Sequence, residues 1–356
     1  MASSHLIYLG TYTSTGFSQG IYAVRLDQDT GALSAPELVA EATNPAWITL
    51  SPDRKFLYAI HPSLAQATGF AVDPATARLN PLPSGNTLTS PNPIHPPSHL
   101  AVDATGRVLL AANYHEGFVA AIPIHADGTT GQAAILQHEG KGTHPIRQEK
   151  PHVHSVTLSP DNRFVIVADL GLDKVFTYAL DPATAKLTPA NPPFVATEPR
   201  TGPRHFKFGK TGRHGYVINE LSNTVTLFDY DAARGALTPK QTVPTLPADF
   251  KAQNTTAEVR VHASGAFLYG SNRGHDSIAV FAIDAASGEL TPIEIVETGG
   301  RNPRNFALSP DGKWLVCGHQ DTPRLTVFRV DSATGRLTRT DHTANVPSCV
   351  CVLFYD

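Results

Sequence analysis

The chain has 356 residues, a length at which one ordinary hydrophobic core would usually have divided into domains. Its 28 Lys and Arg against 31 Asp and Glu leave a formal net charge of −3, which gives no reason to expect nucleic acid or an anionic membrane as a partner. With 27 Gly, 29 Pro and only 17% charged residues, the composition is typical of many short strands joined by tight turns.

The N-terminal segment Met1–His5 leads directly into a strand-like run, Leu6–Tyr12. No basic segment followed by a long apolar stretch is present there, so no signal peptide is predicted. No run in the chain approaches the ~18 apolar residues that a membrane helix needs. We therefore expect a cytoplasmic protein with no membrane partner.

One motif then recurs at intervals of about fifty residues, a period typical of propeller blades. It consists of an apolar strand, a turn, two further strands and an Asp-x-x-Thr-Gly-x-Leu hairpin. The hairpin, one copy of it degenerate, begins at Asp27, Asp73, Asp127, Asp181, Asp231, Asp284 and Asp331. Asp opens such turns by bonding to nearby backbone, and Gly accepts the left-handed conformation. A repeat array also avoids the size limit on a single core, because each unit packs only on its neighbours.

The predicted innermost strands lie near residues 45–50, 97–102, 152–158, 203–208, 257–262, 303–308 and 347–353. The last has no second strand after it, whereas the run Leu6–Tyr12 looks like a second strand with no first. The simplest solution pairs Ser348–Phe354 with the three N-terminal strands. We therefore predict an all-β, seven-bladed β-propeller of four-stranded antiparallel blades, forming one domain over residues 1–356. A solenoid would need capping repeats and would not split a unit between the chain ends.

The three cysteines are Cys317, Cys349 and Cys351, an odd number without the spacing of a disulfide framework. We interpret them as small buried hydrophobic residues rather than as metal ligands or redox groups.

The repeat also predicts where a site should lie. In each blade the first two strands are antiparallel, so the start of the first lies beside the end of the second, on the face that carries the channel mouth. Charged or titratable residues depart from the repeat there in four consecutive blades, at Pro151–Ser155, Gly202–His205 with Asn219–Asn223, Ser271–Ser277, and Arg301–Asn305. One carboxylate, several guanidinium groups and imidazoles suit an anionic small substrate and proton transfer.

From these segments we select two groups of candidates. The catalytic candidates are His154, Glu220, Arg204 and Arg273, and the substrate-binding candidates are His152, His205, His275, Arg301, Arg304 and Asn219. Strand alternation predicts that His152 and His154 point to the same side. Glu220 or His154 would take a proton from water, and the two catalytic arginines would hold an oxyanion or a phosphate. A structural ion-pair network of Arg204, Glu220 and Arg273 is the alternative interpretation.

No cofactor is predicted. The two histidines could bind a metal together with Glu220, but no third or fourth ligand is apparent, so we expect no metal. The chain has no Gly-x-Ser-x-Gly elbow, Gly-x-Gly-x-x-Gly fingerprint or phosphate loop, so neither a serine esterase nor a nucleotide-dependent enzyme is indicated.

Four parts of the chain resemble the bacterial 6-phosphogluconolactonase family of seven-bladed propellers, which also includes fungal carboxy-cis,cis-muconate cyclase. They are Pro151–His154 with Asp169–Gly171, Gly202–His205 with Asn219–Leu221, Ser271–Ser277, and Arg304–Phe306. The resemblance implies hydrolysis of a sugar lactone, most directly 6-phosphoglucono-1,5-lactone in the pentose phosphate pathway. The cyclase branch implies catalytic roles for His154 (or His152), Arg204, Glu220 and Arg273.

Three hypotheses follow. The leading one is a lactonase acting on a small anionic lactone, the second is a carboxymuconate-type lactonising cycloisomerase, and the third is a non-catalytic propeller that serves as a binding platform. The platform hypothesis predicts an exposed apolar patch rather than a charged channel mouth. Loops 82–96 and 138–151 are placed to reach over the mouth. The sequence leaves open whether the protein is a monomer or a dimer.

Overall fold

Alternating apolar residues and frequent turn signals produce strands throughout the chain. The computed structural model describes residues 3–61, 66–83 and 97–355. Within those ranges, 28 strands form seven four-stranded antiparallel sheets, and there is no helix. The described residues accordingly offer no helical segment able to cross a membrane.

Each sheet is one blade of a propeller. Blades 2 to 7 each use four consecutive strands, from the channel outward: β4 (Ile48–Leu50), β5 (Phe56–His61), β6 (Gln66–Val72) and β7 (Leu79–Pro81); β8 (His99–Val102), β9 (Val108–Asn113), β10 (Phe118–Pro123) and β11 (Ala134–Gln137); β12 (Val153–Leu158), β13 (Phe164–Asp169), β14 (Lys174–Asp181) and β15 (Lys186–Ala196); β16 (Pro203–Phe208), β17 (His214–Asn219), β18 (Thr224–Asp231) and β19 (Ala236–Pro244); β20 (Thr255–Val261), β21 (Phe267–Arg273), β22 (Ser277–Ile283) and β23 (Leu290–Glu297); β24 (Asn305–Leu308), β25 (Trp314–Gly318), β26 (Leu325–Val330) and β27 (Leu337–Ala344). Blade 1 combines β28 (Cys349–Phe354) with β1 (Ser4–Thr11), β2 (Gly20–Asp27) and β3 (Glu37–Glu41).

The two ends of the chain close the ring. Strand β28 pairs antiparallel with β1, so that Leu9 lies opposite Val352 and Gly10 opposite Cys351. The first strands of successive blades also contact one another around the whole circle, from β4 through β28 and back to β4. The predicted seven-bladed propeller is therefore confirmed, and the innermost strands begin and end within three residues of the predicted positions.

The hydrophobic core is divided among the interfaces between blades, as expected for a repeat in which each unit packs on its neighbours. A buried tyrosine on the second strand of four blades reinforces these interfaces by donating a hydrogen bond to a carbonyl in the next blade's hairpin. The pairs are Tyr8 with Ala77 and Tyr58 with Gly128 at 3.0 Å, and Tyr216 with Gly288 and Tyr269 with Gly335 at 2.9 Å. Between blades 7 and 1 the indole of Trp314 replaces the tyrosine and donates to the carbonyl of Gln28 at 3.0 Å.

The face opposite the channel mouth consists of turns with local hydrogen bonds. In the hairpin of blade 1, Asp27 accepts from the backbone N–H and the hydroxyl of Thr30, both at 2.8 Å. In a Ser-Pro-Asp turn, Ser159 donates to Asp161 at 2.6 Å. These contacts confirm that the repeated aspartates brace turns.

The cysteines follow the sequence interpretation. Cys317, Cys349 and Cys351 are buried free thiols. Burial raises the pKa of Cys351 to about 12, so this thiol stays protonated and unreactive near neutral pH.

Candidate active site

Bulges near the start of neighbouring inner strands aim polar side chains into the channel. The pairing of β12 with β13 shifts register between Val153 and Ser155, and the pairing of β16 with β17 shifts between Pro203 and His205. A bulge inserts one extra residue and redirects its side chain. The extra residues here are His154 and Arg204, and both line a cavity at the channel mouth.

That cavity has a volume of about 640 Å³, within the range of small-molecule sites. Four of the residues described around it are arginines and one is a carboxylate, namely Arg147, Arg204, Arg273, Arg304 and Glu220. Aromatic and other neutral residues form most of the remaining wall, including Tyr12, Trp47, Ser98, Tyr114, Gln253 and Thr255. Charged side chains at the channel mouth therefore line one cavity.

Glu220 lies at the centre of the charged cluster. Its Oε1 accepts from Nη2 of Arg147 at 2.5 Å, and its Oε2 accepts from Nε of Arg204 at 2.9 Å. Nη2 of Arg273 lies 3.0 Å from the same Oε2 and also donates to the carbonyl of Thr256 at 2.8 Å. These contacts place three of the four catalytic candidates in direct contact, with Arg147 as an additional partner.

The arginines determine which groups are charged. Burial raises the pKa of Glu220, but the guanidinium groups of Arg273 and Arg204 lower it by more, so it lies well below its usual range. Burial and the neighbouring cation of Arg273 lower the pKa of Arg204 to about 9, which still leaves it charged at neutral pH. Glu220 is therefore an ionised anchor for three arginines and a weak proton acceptor.

His154, the fourth catalytic candidate, completes the cluster. Its Nε2 lies 3.9 Å from Oε2 of Glu220, and its Nδ1 is buried without a hydrogen-bond partner among the described residues. Burial, and then the cation of Arg204, lower the pKa of His154 well below its usual range. The ring is therefore neutral at neutral pH, with a nitrogen lone pair able to accept a proton.

His152 and His154, which strand alternation placed on the same side, both contact Tyr114. The His152 ring stacks on Tyr114 with centroids 4.4 Å apart, whereas the His154 ring meets it edge-on at 5.5 Å. Nδ1 of His152 also contacts the carbonyl of Tyr114 at 2.9 Å. Because the bulge interrupts the alternation, His154 lines the cavity and His152 does not, although the His152 ring packs against Tyr114.

Of the remaining substrate-binding candidates, some line the main cavity, one lines a neighbouring cavity, and two line neither. His205 and Arg304 line the cavity, and Arg304 lies over the ring of Tyr12 with 5.7 Å to its centroid. Arg301 is exposed and lines a smaller neighbouring cavity of about 310 Å³, which shares Arg273 with the main one.

Asn219 and His275 do not reach either of these two cavities. Asn219 is fully buried and donates to the hydroxyl of Thr226 at 2.9 Å, and Nδ1 of His275 pairs with the hydroxyl of Ser277 at 2.8 Å. Asn219 occupies the last position of β17, from which its side chain turns toward the neighbouring strand rather than toward the channel.

Arg147 is a site residue that the sequence did not identify, although its loop, 138–151, was expected near the mouth. Gln148 closes this loop: its side-chain oxygen accepts from the backbone N–H of His144 at 2.9 Å, and its amide donates to the carbonyl of Leu170 at 2.8 Å. Arg147 also donates to the hydroxyl of Tyr114 at 3.1 Å. Nothing in the repeat could have found it, because the corresponding connections of the other blades differ from this loop in length and sequence. Of loop 82–96, residues 84–96 lie outside the described part.

The described ranges contain no group of three His, Cys, Asp or Glu side chains arranged to hold a metal ion. Both imidazole rings pack against Tyr114, His152 stacked on it and His154 edge-on.

The fold and the cavity define a seven-bladed β-propeller with a cationic small-molecule site at its channel mouth. A family model described as lactonase, 7-bladed beta-propeller, matches residues 6–354, and the chain belongs to this family. It is 37% identical to the 6-phosphogluconolactonase of Bacillus subtilis over 99% of both chains, and 29% identical to that of Formosa agariphila over 93% of this chain and 94% of the relative. Its fold matches the periplasmic gluconolactonase of Pseudomonas aeruginosa with a TM-score of 0.93, at 34% identity over 99% of both chains. The expected family and an activity as a sugar lactone hydrolase are thus confirmed.

Proposed function

We propose that the substrate is 6-phosphoglucono-1,5-lactone, hydrolysed to 6-phosphogluconate in the pentose phosphate pathway. The observation that carries this proposal is the charge of the cavity, where four guanidinium groups against one carboxylate leave +3 (4 − 1). A cationic cleft of this size attracts and encloses a small anion. Relatives that bear the name 6-phosphogluconolactonase support the same substrate.

In the proposed mechanism, His154 activates water. The neutral imidazole accepts a proton from the water molecule as its oxygen attacks the lactone carbonyl. The resulting imidazolium then returns the proton to the ring oxygen as the carbon–oxygen bond of the ring breaks. The product acid loses its own proton to solvent. Glu220 does not act as the base, because its carboxylate is held by three arginines.

Arg204 and Arg273 stabilise the charge that develops on the carbonyl oxygen. Arg204 uses Nε and Nη1 for protein contacts, and its Nη2 has no partner among the described residues, so that this donor is available to the oxyanion. Donors fixed toward developing charge contribute about 3 kcal/mol each. Arg147 and Arg304 are half-buried and line the same cavity, where they are suited to bind the phosphate.

The platform hypothesis finds less support. It predicted an exposed apolar patch, but the large hydrophobic side chains that are exposed in the described ranges, Phe17, Ile146, Phe194 and Ile295, come from four separate segments. The cycloisomerase hypothesis would use the same arginines for carboxylates, and we retain it as an outcome of the test below.

The test is to give purified protein freshly prepared lactone and to follow acid release above the buffer rate. The phosphorylated lactone, plain gluconolactone and cis,cis-muconate are compared, the last by loss of its absorbance. We expect the phosphorylated lactone to have the highest kcat/KM and Arg204→Ala to abolish most of the rate. A matched control is Arg213→Ala, which removes an exposed arginine of the same blade that contacts the carbonyl of Ala285. A wild-type rate equal to buffer, or a preference for muconate, would overturn the proposal.

We place this reaction in the cytoplasm as part of the same proposal. The three cysteines are free thiols, which suits a reducing compartment. The periplasmic location in the name of the Pseudomonas neighbour belongs to that protein.

A further inference from the structure

A buried carboxylate below the cavity plays no part in the mechanism described so far. Glu258 is fully buried on β20 and does not line the cavity. Its Oε2 accepts from the amide of Asn305 at 2.5 Å, and its Oε1 accepts from the backbone N–H of Val259 at 3.1 Å and lies 3.4 Å from Nε of Arg260. Burying a charge costs free energy, so a fully buried carboxylate with several fixed contacts is expected to have a structural or functional role.

The contact that links Glu258 to the active site is with His205. Nδ1 of His205 lies 3.3 Å from Oε2 of Glu258, an ion-pair distance at an angle too bent for a hydrogen bond. On the other side of the ring, Nε2 of His205 accepts from Nη1 of Arg204 at 3.0 Å. The bulge in β16 makes this possible, since Arg204 and His205 are consecutive and yet both face the channel.

These contacts determine the protonation state of His205. A guanidinium group only donates, so Nε2 must carry a lone pair, and the ring proton of a neutral imidazole must then be on Nδ1. That proton is on the nitrogen 3.3 Å from Oε2 of Glu258, so the negative charge of the carboxylate favours this tautomer electrostatically, without a hydrogen bond. Burial, and then the cation of Arg204, lower the pKa of His205 well below its usual range, which agrees with a neutral ring.

The same contacts orient Arg204. Its Nη1 donates to His205 and to the carbonyl of Ala257 at 2.7 Å, and its Nε donates to Glu220. The guanidinium plane is therefore fixed from two sides, and Nη2 is left for a ligand.

We propose that Glu258 is a positioning residue: by holding His205 in the Nδ1–H tautomer, it makes Nε2 an acceptor that fixes Arg204 toward the reacting carbonyl. The role rests on the proposed function of Arg204 as an oxyanion donor. Without the carboxylate, the ring can place its proton on Nε2. In that tautomer the Nε2–H of His205 would point at the Nη1–H of Arg204. Two donors cannot bond to each other, so the guanidinium group would lose its hydrogen bond to His205.

Two pairs of variants test this role. Glu258→Gln removes the charge at nearly constant shape, and Glu289→Gln is its control, because it makes the same substitution at an exposed carboxylate of the same blade, outside the cavity wall. His205→Gln keeps an acceptor for Arg204 and a donor for Glu258, whereas His205→Leu keeps neither.

We expect Glu258→Gln and His205→Leu to lower kcat about tenfold with KM changed less than twofold, because the support matters most in the transition state. Glu289→Gln should match wild type, and His205→Gln should keep more activity than His205→Leu. Equal rates for Glu258→Gln and Glu289→Gln, or for the two His205 variants, would overturn the role of Glu258.

Nitrogen-15 NMR of histidine-labelled protein reads the tautomer directly, whether or not the lactone is hydrolysed. The His205 signals are identified by their absence in His205→Gln. In wild type, Nδ1 should be protonated and Nε2 unprotonated between about pH 5 and pH 8, and this preference should be lost in Glu258→Gln. A proton on Nε2 in wild type would refute the proposal, whereas the expected tautomer in a protein without lactonase activity would refute only the proposed function.

Discussion

Two buried polar networks of this propeller show how differently similar residues can be used. In blade 4, Nδ1 of His138 contacts Oδ2 of Asp169 at 2.7 Å, and its Nε2 contacts the hydroxyl of Tyr178 at 2.9 Å. Oδ1 of Asp169 accepts the backbone N–H of His152 at 2.9 Å. Around Glu220, by contrast, Nη2 of Arg204 and the Nδ1 of His154 have no hydrogen-bond partners among the described residues.

The first network is closed and the second is open. A closed network rigidifies the fold, and here it fixes the start of β12, from which His154 reaches the cavity. Unpartnered donors and acceptors that face a cavity are instead available to a ligand. The comparison predicts that changes in the first network reduce stability and that changes in the second reduce activity.

The largest effect is expected at the centre of the open network. Glu220→Gln should lower kcat/KM by about 100-fold to 1,000-fold, because the arginines that it holds lose their common anchor. Steady-state kinetics on the preferred lactone measure this, and circular dichroism checks that the variant is folded. A rate within threefold of wild type would mean that the cluster is structural, as the alternative sequence interpretation held.

Asp169→Asn, by contrast, should reduce stability and leave activity nearly unchanged. Removing one partner from this buried pair should lower the free energy of unfolding by about 3 kcal/mol, measured by urea denaturation. The kcat of the folded protein should stay within about twofold of wild type. Unchanged stability together with lost activity would show that the blade 4 network takes part in the reaction.

The pH profile of kcat/KM tests the protonation states assigned to the open network. His154 must be neutral to act as a base and its pKa is lowered, so activity should decline only as the pH falls well below 6.5. Arg204 must be charged, so activity should also decline as the pH rises through about 9. Plain gluconolactone is the suitable substrate, because it has no phosphate to titrate, and the buffer rate is subtracted. An acid limb at or above pH 6.5 would contradict the lowered pKa of His154.

The smallest effects are expected on KM, where Arg147 and Arg301 should differ. Arg147→Ala should raise the KM for phosphorylated lactone about tenfold and leave the KM for plain gluconolactone unchanged, because Arg147 reaches into the cavity. Arg301→Ala should change either KM less than threefold, because Arg301 is exposed in the neighbouring cavity. A larger rise in KM for Arg301→Ala than for Arg147→Ala would show that the phosphate binds in the neighbouring cavity.

The fold was predictable because its signals are repeated. Seven hairpins and the incomplete strand sets at the two ends were sufficient to deduce seven blades and the pairing of β1 with β28. The grouping of Arg204, Glu220 and Arg273 also followed from the repeat, since corresponding positions of successive blades share one face.

Several details of the site depend on structural features that the local amino-acid sequence does not reveal. The bulges in β12 and β16 cannot be deduced from alternation, and they determine that His154, and not His152, lines the cavity. Arg147 comes from a connection between blades whose length and sequence are not repeated in the other blades. Glu258 appears in an ordinary strand sequence, and only the ring geometry brings it beside His205.

The pairing of β28 with β1 in blade 1 has a consequence for the cavity. Val350, on β28, and Tyr12, just after β1, both line it. The strand pair that closes the ring therefore also supplies part of the cavity wall. A substitution that weakens this pairing would disturb substrate binding together with the stability of the ring.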